Sequence, residues 1–153
     1  MLNQEFIPIL LGSDRNVYGM AVAFHEKYKI KYHIIFLTKY RKKCLKDISE
    51  DIKSYMKIAE SKQNKWKIEI MEIDLTKADH IHLMINATPT CRISDIIHNL
   101  KQISTFYAWK NHNNYLTNFY WSGKHNLWTR GYFCTSIGCV SETTLKYYIK
   151  NQV

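Results

Sequence analysis

The stretch from Trp66 to Asn86 constrains the fold more than any other. "WKIEIMEIDL" sets Trp66, Ile68 and Ile70 against Lys67, Glu69 and Met71, the period-two pattern of a half-buried strand. "HIHLMIN" follows, with Ile81, Leu83 and Ile85 alternating against His80, His82, Met84 and Asn86. Only "TKAD" separates the two, so they are expected to pair as a hairpin. A hairpin with one apolar face is not stable alone and needs other elements laid over it. The flanks supply them. Residues 47–65 read as an amphipathic helix with Ile48, Ile52, Tyr55, Met56 and Ala59 on one side. Residues 93–112 read as a second, with Ile93, Ile96, Ile97, Leu100, Ile103 and Tyr107 on its stripe. A strand over about Lys31–Thr38 comes first, and a fourth lies in "LWTRGYFCTSI" (127–137), closed by Gly138. Ser141 can cap a last helix, with Glu142 in its first turn. The order β-α-β-β-α-β-α predicts an α+β fold, an antiparallel sheet covered by helices, of the ferredoxin-like or RRM-like kind. Residues 1–27 are set apart as an N-terminal extension, with the domain over 28–153.

The histidines are the unusual part of this hairpin. Two residues apart on a strand, His80 and His82 share a face at a separation of about 6–7 Å, close enough to converge on one ion. The same spacing also describes two partly exposed imidazoles on an open sheet face. A pair is in any case an incomplete cage and needs further ligands. In the last helix Leu145, Tyr148, Ile149 and Gln152 fall at i, i+3, i+4 and i+7, hence on one face. That puts a phenol and an amide on the inward stripe, one turn apart. It equally describes a core aromatic followed by a frayed polar end.

Charge narrows the partner. The 22 Lys+Arg against 13 Asp+Glu leave +9, which favours a polyanion. Lys39, Arg41, Lys42 and Lys43, directly after the first strand, are the best phosphate contacts, with Arg130 behind them. A solvated basic loop is the plainer reading of that run. Trp109, Tyr120 and Trp121 are candidates for stacking on bases or for burial. Cys44, Cys91, Cys134 and Cys139 form no C-x-x-C pair, which fits reduced thiols in a cytoplasmic protein. "MLNQEFIPILLG" is too short to span a membrane and has no basic residues before its apolar core, so neither a secretory signal nor a membrane anchor is expected.

Four segments in order, "YHIIFLTKYRKK" (32–43), "DHIHLMI" (79–85), "LWTRGYFCTSIG" (127–138) and "YIKNQ" (148–152), resemble the HUH-type single-tyrosine transposases of small insertion sequences (TnpA type, IS200-like). The resemblance implies that His80 and His82 bind a divalent metal, Mg²⁺ or Mn²⁺, with Gln152 as third ligand. It implies Tyr148 as nucleophile. Tyr147 does not match, because Asn151 rather than a glutamine stands four residues after it. It further implies single-stranded DNA hairpins at the element's ends as substrate, a 5′-phosphotyrosine intermediate, a homodimer in which the tyrosine helix can serve the partner, and no nucleotide cofactor. The rival is a domesticated or non-catalytic binder of single-stranded DNA or RNA hairpins. Arg130-Gly131-Tyr132 is similar to the start of an RRM signature, but Phe133 and Cys134 break it.

Overall fold

The computed structural model describes residues 30–137 together with 147 and 149–151. Its elements run β1 (Ile30–Leu37), α1 (Ser49–Ser61), β2 (Trp66–Ile73), β3 (His80–Ala87), α2 (Ile93–Leu116) and β4 (Phe133–Ile137). The sheet order is β2-β3-β1-β4. β2 pairs antiparallel with β3, and β1 with β4. β3 therefore inserts between β1 and β2, and β4 returns beside β1. Those are the two split β-α-β halves of a ferredoxin-like sheet, as the element order predicts.

The helices cover one face. Ile48, Ile52, Tyr55, Met56 and Ala59 are all buried, and from α2 so are Ile96, Ile97 and Leu100. They share one apolar cluster with Ile34 and Phe36 of β1 and with Ile81, Leu83 and Ile85 of β3. α2 continues one turn past the expected end, although His112 leaves helical geometry at φ −130°, ψ 34°. Tyr55 and Asp51 of α1 hold the kink: the Tyr55 hydroxyl meets Asn111 Nδ2 at 2.9 Å and His112 Nε2 at 3.2 Å, and Asp51 takes His112 Nε2 at 2.8 Å. Leu116 then buries completely.

Two sequence expectations are corrected. In β2 the strict alternation fails, because Ile68 pairs with Ile85 and Ile70 already pairs with Met84. Glu69 is the extra residue of a β-bulge, and after it the strand's facing restarts. Ile68 and Ile73 stay in the main core with Met71 packed against it, while Ile70 turns to the opposite face. The side chain of Glu60 stands at this point, its Oε2 accepting from Ile68 N at 2.6 Å. β4 in turn begins at Phe133 rather than near Leu127. Ahead of it, Lys101 Nζ donates to the carbonyls of Thr129, Arg130 and Gly131 at 2.8, 3.1 and 2.8 Å. A side chain serves these acceptors where a strand would use its neighbour. Trp128 bridges across to Thr38, with Thr129 N donating to the Leu37 carbonyl at 2.8 Å.

Residues 1–27, Gly138, Cys139, Ser141 and Glu142 lie outside the described residues. Cys44, Cys91 and Cys134 are free thiols. Among the described residues no helix is long and apolar enough to cross a membrane.

Candidate active site

β3 sorts its side chains as the alternation requires. Ile81, Leu83 and Ile85 enter the main core, while His80, His82 and Met84 stand on the other face. That face is not open: His82 is 6% exposed and Met84 fully buried. The two imidazole centroids are 5.1 Å apart and the rings nearly perpendicular, at 75°.

Each histidine is held by its Nδ1. His80 Nδ1 donates to Asp79 Oδ1 at 2.8 Å. His82 Nδ1 meets Nε2 of His33, on β1, at 3.0 Å, with the two rings stacked at 5.2 Å. No described residue bonds Nε2 of either ring. With the proton shared by the second pair placed on His82 Nδ1, that ring keeps an Nε2 lone pair, the form in which imidazole binds a metal.

Asp79 is itself fixed from several sides. The chain turns into β3 through Ala78, which adopts φ 52° and donates from its N–H to the Asp74 carbonyl at 2.6 Å. The Asp79 carbonyl accepts from Thr38 N at 2.9 Å, and Asp79 Oδ2 accepts from Arg41 Nε at 2.9 Å. Burial alone would raise the Asp79 pKa, but the hydrogen bonds from His80 and Arg41 outweigh it and hold the carboxyl below its ordinary value. Burial, followed by the neighbouring His33 and His80, pushes His82 down to about 4, and burial also lowers His33. The buried histidine is thus neutral at pH 7, as a ligand must be.

Met84 continues this face into a second apolar cluster with Ile70, freed by the bulge, and Ile149, which is fully buried. Residues 147 and 149–151 are helical, with Tyr147 exposed and its carbonyl accepting from Asn151 Nδ2 at 2.7 Å. Tyr148 and Gln152 lie outside the described residues. Among the described residues no three His, Cys, Asp or Glu side chains gather as a metal cage. The donor chemistry of His80 and His82 nonetheless fits a divalent ion: two Nε2 atoms on one face, one ring backed by a carboxylate.

The basic run lies against this site. Lys39–Arg41 form a tight turn in which Tyr40 (φ 59°) and Arg41 (φ 55°) both take the left-handed conformation. Arg41 is spent in part on Asp79, whereas Lys42 and Lys43 are exposed. Arg130 is also exposed and lines a different recess of about 750 Å³, with Lys101, Phe106 and Tyr132. Of the three candidate stacking aromatics, Trp109 and Tyr120 are buried and Trp121 is 80% exposed. The sequence reading misses Asp79 and His33. Asp79 adjoins the pair and His33 alternates against Tyr32, Ile34 and Phe36, but partnership across strands needs the sheet order.

Comparison with known proteins meets this geometry. A family model described as "Transposase IS200 like" matches residues 26–152. The ISDra2 transposase TnpA of Deinococcus radiodurans is 29% identical over 129 residues, covering 82% of this chain and 85% of that one. A crystal structure of a Deinococcus radiodurans R1 chain assigned to the transposases superposes with a TM-score of 0.62 at 25% identity, covering 82% and 92% of the two chains. A REP-associated tyrosine transposase solved with a REP hairpin shares the fold, with a TM-score of 0.54 at 11% identity over 80% of this chain and 62% of its own.

Proposed function

The chain belongs to the IS200-like transposases, and from that premise we propose that it cleaves and rejoins single-stranded DNA at insertion-sequence ends through a 5′-phosphotyrosine on Tyr148. The observation that carries this reading is the pair of histidines tied back through Nδ1 with both Nε2 atoms turned from any described partner. In this reading His80, His82 and Gln152 hold Mg²⁺ or Mn²⁺, which when bound supplies charge neutralisation on a phosphate oxygen.

The chain's own residues do the rest. Asp79 fixes the His80 tautomer, and His33 holds the Nδ1 side of His82. Ile149, seated on Ile70 and Met84, sets the last helix against the histidine face, and Tyr148 and Gln152 are its sequence neighbours. The Tyr148 oxygen attacks phosphorus in line, the phenolic proton is lost, and the 3′ oxygen leaves and is protonated to a free 3′-OH. Because the ester is retained on the protein, a second 3′-OH reverses the step and joins new ends. Lys39, Lys42, Lys43 and Arg130 contact phosphates. DNA hairpins as substrate draw support from the hairpin-bound relative, and a homodimer is the assembly proposed.

The test incubates the protein with labelled hairpin DNA and Mn²⁺ and resolves a covalent adduct on a denaturing gel. The adduct is expected with wild type and absent from Tyr148→Phe and from the His80→Ala/His82→Ala double variant. An adduct in either variant overturns the assignment. Hairpin binding without an adduct in wild type favours the non-catalytic binder.

A further inference from the structure

The 38–43 turn is built more rigidly than a solvated basic loop requires. Thr38 Oγ1 donates to the Lys42 carbonyl at 2.7 Å, and Lys39 N to the Leu127 carbonyl at 2.8 Å. The hydroxyl of buried Tyr120 donates to the Lys39 carbonyl at 2.9 Å. Within this frame two successive non-glycine residues stand at positive φ, a conformation L-residues avoid unless their surroundings impose it. The outcome is a division of labour. Arg41 reaches Asp79 behind His80, and Tyr40 is thrust outward, 70% exposed.

Tyr40 is not isolated there. It forms one wall of an open recess of about 500 Å³, lined as well by Trp121, Lys39, Lys42 and Lys124, with Tyr120 also in its wall. Trp121 sits on a hydrogen-bonded turn, its carbonyl accepting from Lys124 N at 3.1 Å. Lys39 Nζ lies 5.3 Å from the Tyr40 ring centre. No carboxylate is among the described residues that line the recess. Two exposed aromatic faces interleaved with three lysines are what unpaired nucleotides recognise: rings for bases, ammonium groups for the phosphates between them.

We propose that this recess seats unpaired bases of single-stranded DNA, stacked on Tyr40 and Trp121, on the turn whose Arg41 holds the carboxylate behind His80. The proposal rests on single-stranded DNA being the substrate, and it assigns the place where the strand is gripped beside the cleavage site. Arg41 then links grip to site, since the turn that displays Tyr40 also holds the carboxylate behind His80.

The experiment measures fluorescence anisotropy of a labelled thymidine 12-mer and of an abasic 12-mer of the same charge, in EDTA so that no cleavage intervenes. Tyr40→Ala and Trp121→Ala are each expected to weaken thymidine binding about five-fold or more, the effect of losing one stacked base. Both are expected to leave abasic binding unchanged, and Trp121→Phe to restore most of the affinity. Both side chains are exposed, so folding is spared. Unchanged thymidine affinity in both alanine variants, or equal affinity of wild type for the two oligomers, overturns the seat while leaving the cleavage reading standing. Absence of an adduct from wild type, with thymidine binding still lost in the variants, overturns the cleavage reading and leaves the seat.

Discussion

Asp79 and His33 decide what His80 and His82 can be. An imidazole free to spin offers either nitrogen; one anchored at Nδ1 offers only Nε2. Asp79→Asn is therefore expected to weaken Mn²⁺ binding about 10- to 100-fold, read by electron paramagnetic resonance titration of folded protein. Unchanged affinity would remove Asp79 from this role. His82 also leaves a mark on stability. Its pKa falls from 6.5 to about 4 on folding, so the unfolded chain takes up a proton more readily across that window. Its contribution is complete above pH 6.5 and lost as the pH drops toward about 4, at most about 3 kcal/mol. Urea unfolding in EDTA at pH 7.5 and 4.5 should show wild type losing more stability than His82→Gln; equal losses would contradict it. The pair itself was legible from its spacing, whereas its supports were not, because His33 sits 49 residues upstream.

Elements were readable where a period ran unbroken. α1 buries the side chains its spacing requires, and β3 divides its faces as expected. Reading failed where a side chain from another element takes a backbone hydrogen bond, Glu60 at the bulge in β2 and Lys101 ahead of β4. Neither is visible without knowing what each touches. Ile149 seats the last helix on Ile70 and Met84. Ile149→Ala is expected to abolish most adduct formation while leaving hairpin affinity and the far-ultraviolet circular dichroism nearly intact. Full adduct yield would show that this contact does not place the helix.

At the scale of the whole molecule the sheet separates two sets of side chains, the main core on the helix-covered face and the histidine pair on the other. Leu100, fully buried under the sheet, belongs to the first: Leu100→Ala should cost about 2–5 kcal/mol in denaturant unfolding and leave Nε2 geometry, read as Mn²⁺ affinity of the folded protein, unchanged. A parallel loss of metal affinity would mean that the faces are coupled. The bulge shows how this separation survives a change in chain length. Strike out Glu69 and the strand becomes Trp66-Lys67-Ile68-Ile70-Met71-Glu72-Ile73, a faultless alternation with every residue already facing where it now faces. A relative one residue shorter in this strand should therefore take its alignment gap at Glu69. A gap placed at the end of the strand instead would swap inside for outside along half of its length, putting Glu72 in the core and taking Ile70 from beneath the helix.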